Sequence, residues 1–537
     1  MKGTKKLLCL LMSLVLLATA GCASAPAEEQ NQPEENKEAE QASTALQDSD
    51  VDVLIIGAGG AGLSAAVSAT ENDASVIVVE KMPSMGGNTI RSGGAFNSYD
   101  PEGQASTKMD DSLKATVEKL LAVEPVSDAH ADLIAEVQKQ YDEYLASGSD
   151  SLFDSPEWHA LQTLDAGDYI GNVDLILTLT RNTLSTKQWL TENGTVWDPT
   201  IRTVIGALWN RSAQTTNVSG ADFIAALSAQ AEKNGAQIYL DSKAENLIQK
   251  DGKICGATVT NAEGELVTVN AKSVVMATGG FAANVDMRVK YNTEWADLGE
   301  TIKTNNHPGA TGDGITMGQE VGADLVDMQW IQLMPLFPVS GGGISGYVNN
   351  AIYVNKEGQR YVNEDNRRDV LAQGALNQTD KVFFVINDQT EIDSINFPQD
   401  KLDYMIEKGL IFKGETVEEL AENMGVPAEN LKKTIEDYGL AVDAQKDEFG
   451  RTTWGCRLDN PPYYAASYTP AVHHTMGGLR INTEAQVLNA QGEVIPGFYA
   501  AGEVTGGIHG TNRVGGNAVP DALVFGKIAG ANAAAGK

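Results

Sequence analysis

Three clusters in the sequence carry residue types suited to chemistry. The stretch AVHHTMGGLR, residues 471–480, sets His473 beside His474 and so spends two of the chain's six histidines in one place. Such a pair is open to a structural, a metal-binding or a catalytic reading, because neutral imidazole is both donor and acceptor. Metal is the weakest of the three, since neighbours on a strand face opposite ways and need a loop to share one ion. A second cluster, NEDNRRD at 363–369, holds Arg367 and Arg368 among acids. Taken alone it reads as a solvated, charged turn. The third is Gly57, Gly59 and Gly62, with Glu80 downstream. Gly57 permits a tight turn, Gly59 lets backbone N–H groups approach a pyrophosphate, and Gly62 lets a helix pack on the preceding strand. Glu80 is placed to accept hydrogen bonds from ribose hydroxyls.

These residues need elements to hold them. VDVLIIGAGGAGLSAAVSAT from Val51 reads as a buried strand running into a helix, whose N-terminus offers positive potential to phosphates. SVIVVE supplies the next strand and ends in Glu80. Two further strand-like runs, KSVVMATGG (272–280) and GFYAAGEV (497–504), end in glycine turns. The second lies near the far end of the sequence, so the nucleotide domain is expected from both ends of the chain, with a segment inserted between. That segment contains the period-2 runs AIYVN and KVFFVIN and a helical stretch near 416–438, while 112–240 reads as mostly helical. No internal repeat is evident.

With 537 residues, 42% hydrophobic, the chain has room for two or three α/β domains with full cores. Its formal charge of −33 speaks against nucleic acid as a partner. The start reads as an address: three lysines in 2–6, the apolar run LLCLLMSLVLLATA, then Gly21–Cys22. It resembles a bacterial lipoprotein signal, with residues 1–21 removed and Cys22 lipidated, although Thr19 stands where Leu is usual. Residues 22–50 are polar and acidic and read as a disordered tether. No later run is long and apolar enough to span a membrane, so the lipid is the expected anchor and the expected location is outside the bacterial cell membrane. Cys255 and Cys456 remain as ordinary thiols, and no CxxCH occurs for attached haem.

The motifs GAGGAG (57–62), GGNTIRSGGAFN (86–97), ATGDG (310–314), NEDNRRD (363–369), HHTMGG (473–478) and AAGEVTGGIHGTNRVGGNA (500–518) together resemble the flavoprotein subunits of fumarate reductase and succinate dehydrogenase, nearest the soluble flavocytochrome c type. The likeness runs from about Asp52 to Gly536. It implies an α/β fold: a Rossmann-like FAD domain (51–328 and 474–537) with an inserted α+β clamp domain (329–473) that caps the substrate. It implies FAD held by Ala61, Glu80, Asn88, Thr89, Gly93, Gly94, Ala244, Asp313, His474, Glu503, Ala518 and Val519. Covalent relatives attach FAD through a His where this chain has Asn88, so noncovalent FAD is implied. His473 and Arg513 match residues that grip a substrate carboxylate, Gly94 and Gly516 lie against the substrate, and Arg368 matches the catalytic proton donor. The implied reaction is reduction of a 2-enoate C=C bond, with hydride from FAD N5 to the β-carbon and a proton from Arg368 to the α-carbon. Guanidinium is a reluctant acid, so this needs carbanion charge to develop and a relay to replace the proton.

Two departures bear on the substrate. Fumarate reductases bind the second carboxylate through a His where this chain has Met334, and feed protons through a Glu and an Arg in a segment that here reads VSGGGISGYVNN, with Tyr347 the sole ionisable residue. A carboxylate against a thioether would be buried unpaired, at several kcal/mol. Fumarate is therefore disfavoured, and urocanate lacks an acidic partner in this segment. Met334, Leu336, Phe337 and Tyr347 suit an uncharged aryl or alkyl group, as in cinnamate- or acrylate-like acids. A separate FMN- or haem-bearing electron donor is expected, with the enoate as a terminal electron acceptor in anaerobic respiration. Two other classes stay open: a 3-ketosteroid dehydrogenase-like flavoenzyme and a noncatalytic ligand-binding lipoprotein.

Overall fold

The computed structural model describes residues 45–204, 206–344, 350–395, 397–451 and 453–536. The nucleotide-binding unit forms around β1 (Ser49–Ile56), α1 (Gly60–Glu71) and β2 (Val76–Val79). Val53–Ile56 and all of β2 are buried, as continuous apolar runs require when a parallel sheet is covered on both faces. β1 pairs in parallel with β2 on one side and with strand Leu266–Met276 on the other. Strand Val494–Ala500 adds beyond Leu266–Met276, again in parallel, and Gln237–Tyr239 adds beyond β2. The sheet thus takes strands from both ends of the sequence. The carboxyl ends of these parallel strands, Ile56, Val79, Met276 and Ala500, lie along one edge.

Helix Ala518–Ala535 covers the sheet beside α1, and small residues set the spacing. A Cβ on Gly526 would stand 2.4 Å from the Ala61 carbonyl oxygen, and one on Gly530 2.2 Å from that of Ala65. Ser64 and Ser68 donate to the Leu523 and Lys527 carbonyls across this interface at 2.7 and 2.8 Å. The region expected to be helical contains Asp111–Leu121, Asp128–Ser147, Pro156–Ala166 and Val173–Glu192, with Asp110, Ser127, Ser155 and Asn172 capping their N-termini.

The insertion carries its own sheet, ordered Ile331–Pro338, Tyr463–Thr475, Phe383–Asp388, Ile352–Asn355, all antiparallel. The period-2 runs bury both faces. Tyr353, Phe383 and Val385 join one core with Leu371 and Tyr468; Ile352, Val354, Phe384 and Ile386 join another with Leu420 and Tyr438. The helical stretch near 416–438 is two helices, Val417–Met424 and Ala428–Ala444, because Gly425 closes the first in a left-handed turn and Pro427 opens the second. Strand Tyr463–Thr475 runs unbroken through the expected domain boundary at 473/474.

Order also begins earlier than expected. Residues 45–50, assigned above to the tether, are part of the folded unit: Leu46 is fully buried and its carbonyl accepts from Asn261, while Asp48 accepts from the Thr268 amide at 2.7 Å. The signal peptide, Cys22 and the remainder of the tether lie outside the described residues, as does Tyr347. Among the described residues no helix is long and apolar enough to cross a membrane.

Candidate active site

A cavity of about 1340 Å³ opens at the carboxyl edge of the parallel sheet and extends to the inserted sheet. Ligands in open α/β sheets bind at this edge. Gly57 turns the chain off β1 with φ +107°, where a Cβ would meet the Ala277 carbonyl oxygen at 2.4 Å. Gly59 has no atom closer to its Cβ position than 3.9 Å, so backbone can approach a ligand there. The Glu80 carboxylate is fixed at the end of β2 by the amides of Ala58 and Met82, both at 2.9 Å, and still lines the cavity. Glycine cradle, helix N-terminus, acidic ribose acceptor and volume together fit a flavin adenine dinucleotide.

The same cavity receives the histidine pair and both matched arginines. His473 and His474 end strand Tyr463–Thr475 and face different partners, as strand alternation dictates. His473 Nδ1 lies 3.0 Å from the Asn305 side chain, and the His473 carbonyl accepts from Asn306 at 2.7 Å. His474 lies 3.8 Å from Glu503 and packs edge-on against His509, ring centroids 5.5 Å apart. Burial and the nearby guanidiniums of Arg513 and Arg368 hold His473 neutral, far below the usual imidazole range. Asn305 thus meets Nδ1 with its amide nitrogen at 3.0 Å and its amide oxygen at 3.1 Å, and leaves Nε2 as the ring nitrogen toward a ligand.

Arg513 is buried in the glycine-rich loop ahead of helix Ala518–Ala535. It donates to the Val514 carbonyl at 2.8 Å and to Gln332 Oε1 at 3.1 Å, while Gln332 returns a hydrogen bond to the Arg513 carbonyl at 3.0 Å. Arg368 opens helix Arg368–Leu376 and is buried, whereas Arg367 points out to Asp168 and Asp369. Burial first, then the charge of Arg513, lowers the Arg368 guanidinium to about 9. Burial lowers Arg513 to about 10. The two cations share a desolvated space that favours an anion.

Ala61, Glu80, Asn88, Thr89, Gly93, Ala244, Asp313, His474, Glu503, Ala518 and Val519 all line the cavity, as do Met334, Arg368, His473, Arg513 and Gly516. Gly94 does not. At φ +67° its Cβ position lies 2.8 Å from Ser219, so a glycine lets this loop pass the start of helix Ala221–Lys233. Asn88 donates to Glu503 at 3.0 Å and accepts from the His307 amide at 2.7 Å. Three lining or supporting residues escaped the sequence reading: Asn305, which orients His473; Gln332, which orients Arg513; and Asp165, a carboxylate in the cavity wall that accepts from the Tyr169 hydroxyl. Asn305 lies just ahead of ATGDG, but nothing in its spacing signals a partner 168 residues away.

Sheet, cradle and cavity define a dinucleotide-dependent α/β enzyme with a capping insertion. The chain belongs to the FAD binding domain family, matched over residues 52–146 and 143–519, and is an FAD-dependent oxidoreductase with the fold of fumarate reductase flavoproteins. It is 38% identical over 493 residues to NADH:acrylate oxidoreductase of Vibrio harveyi, covering 88% of this chain and 49% of that protein. The chain therefore spans about half the length of that relative. It is 35% identical to urocanate reductase of Eggerthella lenta, covering 88% of this chain and 73% of that one. Among solved structures it is similar to the open conformation of a flavocytochrome c3 fumarate reductase, with TM-score 0.71 and 31% identity over 91% of this chain and 79% of the other.

Proposed function

We propose that this protein reduces the C=C bond of a 2-enoate bearing one carboxylate and an uncharged far end, acrylate- or cinnamate-like. The observation that carries the reading is the convergence of Arg368, Arg513 and neutral His473 on one cavity with Met334 and Leu336 in its wall. Arg513 grips the carboxylate through its planar fork, held by Gln332, and in this reading Asn305 turns its NH₂ to Nδ1 of His473 so that Nε2–H adds a second donor. Both draw electron density from the alkene and leave the β-carbon electrophilic. Bound FAD supplies the hydride. Arg368 delivers a proton to the α-carbon, and its pKa, lowered to about 9, makes guanidinium a usable acid. Met334, Pro335 and Leu336 exclude water and favour an apolar substituent.

Asp165 favours a second substrate class. A carboxylate in the cavity wall suits a cationic or N–H-bearing ring, and the Eggerthella lenta relative is named a urocanate reductase. Two guanidiniums in one desolvated space argue against a neutral steroid, and a buried, acid-shifted Arg368 would be superfluous in a noncatalytic binder. FAD is held noncovalently in this reading, because position 88 offers a carboxamide where attachment needs imidazole. We place the protein outside the bacterial membrane, anchored through Cys22 and served by a separate FMN- or haem-bearing donor as a terminal reductase.

The test is reoxidation of the dithionite-bleached holoenzyme by acrylate, cinnamate, urocanate, fumarate and a 3-ketosteroid. Monocarboxylic enoates should react faster than fumarate. A higher kcat/KM for fumarate than for the other enoates would sink the specificity reading, and reoxidation by the steroid alone, or by none, would sink the reaction class.

A further inference from the structure

Arg367, beside the proposed proton donor, sits at the N-cap of helix Arg368–Leu376 in extended conformation (ψ 151°), yet its side chain makes no capping bond. Its guanidinium is held instead between two carboxylates. Nη1 and Nη2 donate to the Asp168 oxygens at 2.8 and 3.1 Å, and Nε and Nη2 donate to those of Asp369, both at 3.1 Å. Asp168 lies in the turn after helix Pro156–Ala166 and also accepts from the Thr511 hydroxyl. That turn rides on the loop carrying Arg513: the Thr511 amide donates to the Gly167 carbonyl at 3.2 Å, and a Cβ on Gly167 would stand 2.5 Å from the His509 carbonyl oxygen. Asp168 and Tyr169 both hold left-handed backbone, φ +53° and +62°, a conformation non-glycine residues keep when their surroundings enforce it.

We propose that Asp168 is a positioning residue for Arg368: by gripping Arg367 from a turn bonded to the loop that carries Arg513, it fixes the separation of the two arginines across the substrate. The proposal rests on the enoate-reductase reading above. Two guanidiniums in one buried space repel, and Arg513 is indeed felt at Arg368. The carboxylates on Arg367 oppose that repulsion one residue away, and planar forks fix angle as well as distance. The side chains of Arg367 and Asp168 are 37% and 49% exposed, so the contact adds little to overall stability while setting geometry.

Asp168→Asn in the FAD-loaded full chain tests this, because Asn also tolerates left-handed backbone. Turnover of the best enoate should fall about 10- to 100-fold, as for an ångström-scale misplacement, with flavin content, Tm and KM close to wild type. Arg367→Gln should lose as much, and the double variant no more than either single change. Arg367→Lys, which keeps the charge and loses the fork, should recover only part. Amide exchange at residues 368–372, measured without substrate, should rise in Asp168→Asn. Wild-type kcat in Asp168→Asn, losses that add in the double variant, or a rate loss that tracks flavin or Tm would each overturn the proposal. If the wild type turns over no enoate, the functional reading fails, and the exchange measurement still decides whether Asp168 holds the helix.

Discussion

Arg368 and Arg513 share one buried space, and that sets how the enzyme should respond to pH. Arg368 acts in its protonated form, so kcat/KM should fall as pH rises through about 9. A bound carboxylate neutralises Arg513 and lifts Arg368, so the falling limb of kcat should lie at higher pH; stopped-flow reoxidation from pH 7 to 10.5 reads both limbs. Arg368→Ala should keep flavin and fold and lose about 10²- to 10⁴-fold in rate, whereas Arg367→Ala should cost less. Reversal of that order would move the proton donor to the other arginine. Met334→His should shift preference toward fumarate only in part, judged from kcat/KM ratios, because the segment 339–350 still lacks the acid–base pair of fumarate reductases. Arg368, His473 and Arg513 were singled out through the resemblance their motifs carry, since NEDNRRD taken alone reads as a solvated turn and the histidine pair stays open. Their supports were not. Asn305 and Gln332 act on groups 168 and 181 residues away, and a single amide in a strand or loop looks like any other.

At the scale of elements, spacing is set by residues with no room to grow. Gly526→Val would drive a branched side chain into α1, where even a Cβ stands 2.4 Å from the Ala61 carbonyl oxygen, so helix Ala518–Ala535 should lift. The expected result is a lower Tm and loss of flavin on gel filtration together. The opening strand makes a second prediction. A chain beginning at Ala45 should fold and bind flavin like the full chain, while one beginning at Val51 forfeits the burial of Leu46, worth about 1.5–3 kcal/mol, and the Asp48 contact. Urea midpoints compare them. The parallel and period-2 strands were legible because burial on two faces leaves a clear apolar pattern. The residues 45–50 were not, since their polar composition hides one buried Leu and backbone contacts to a strand more than 200 residues on. The two helices near 416–438 merged for a similar reason: one apolar stripe continues across Gly425 and Pro427.

The whole molecule brings the glycine cradle, His473, Arg368 and Arg513 to one cavity from segments spread along the chain. Flavin should leave with the supernatant on acid precipitation, because Asn88 is already committed to Glu503 and the His307 amide and has no nucleophilic nitrogen to offer. Flavin retained in the washed pellet would refute this. Ser64 and Leu523, joined across the helix pair beside the cradle, are 459 residues apart in sequence. The cradle at Gly57–Gly62 is thus closed by Ala518, Val519 and Ala522, from a segment far along the sequence. A pigment held by both ends of one polymer is lost when either end is cut away, so a chain truncated before segment 518–535 should come off gel filtration colourless after incubation with FAD.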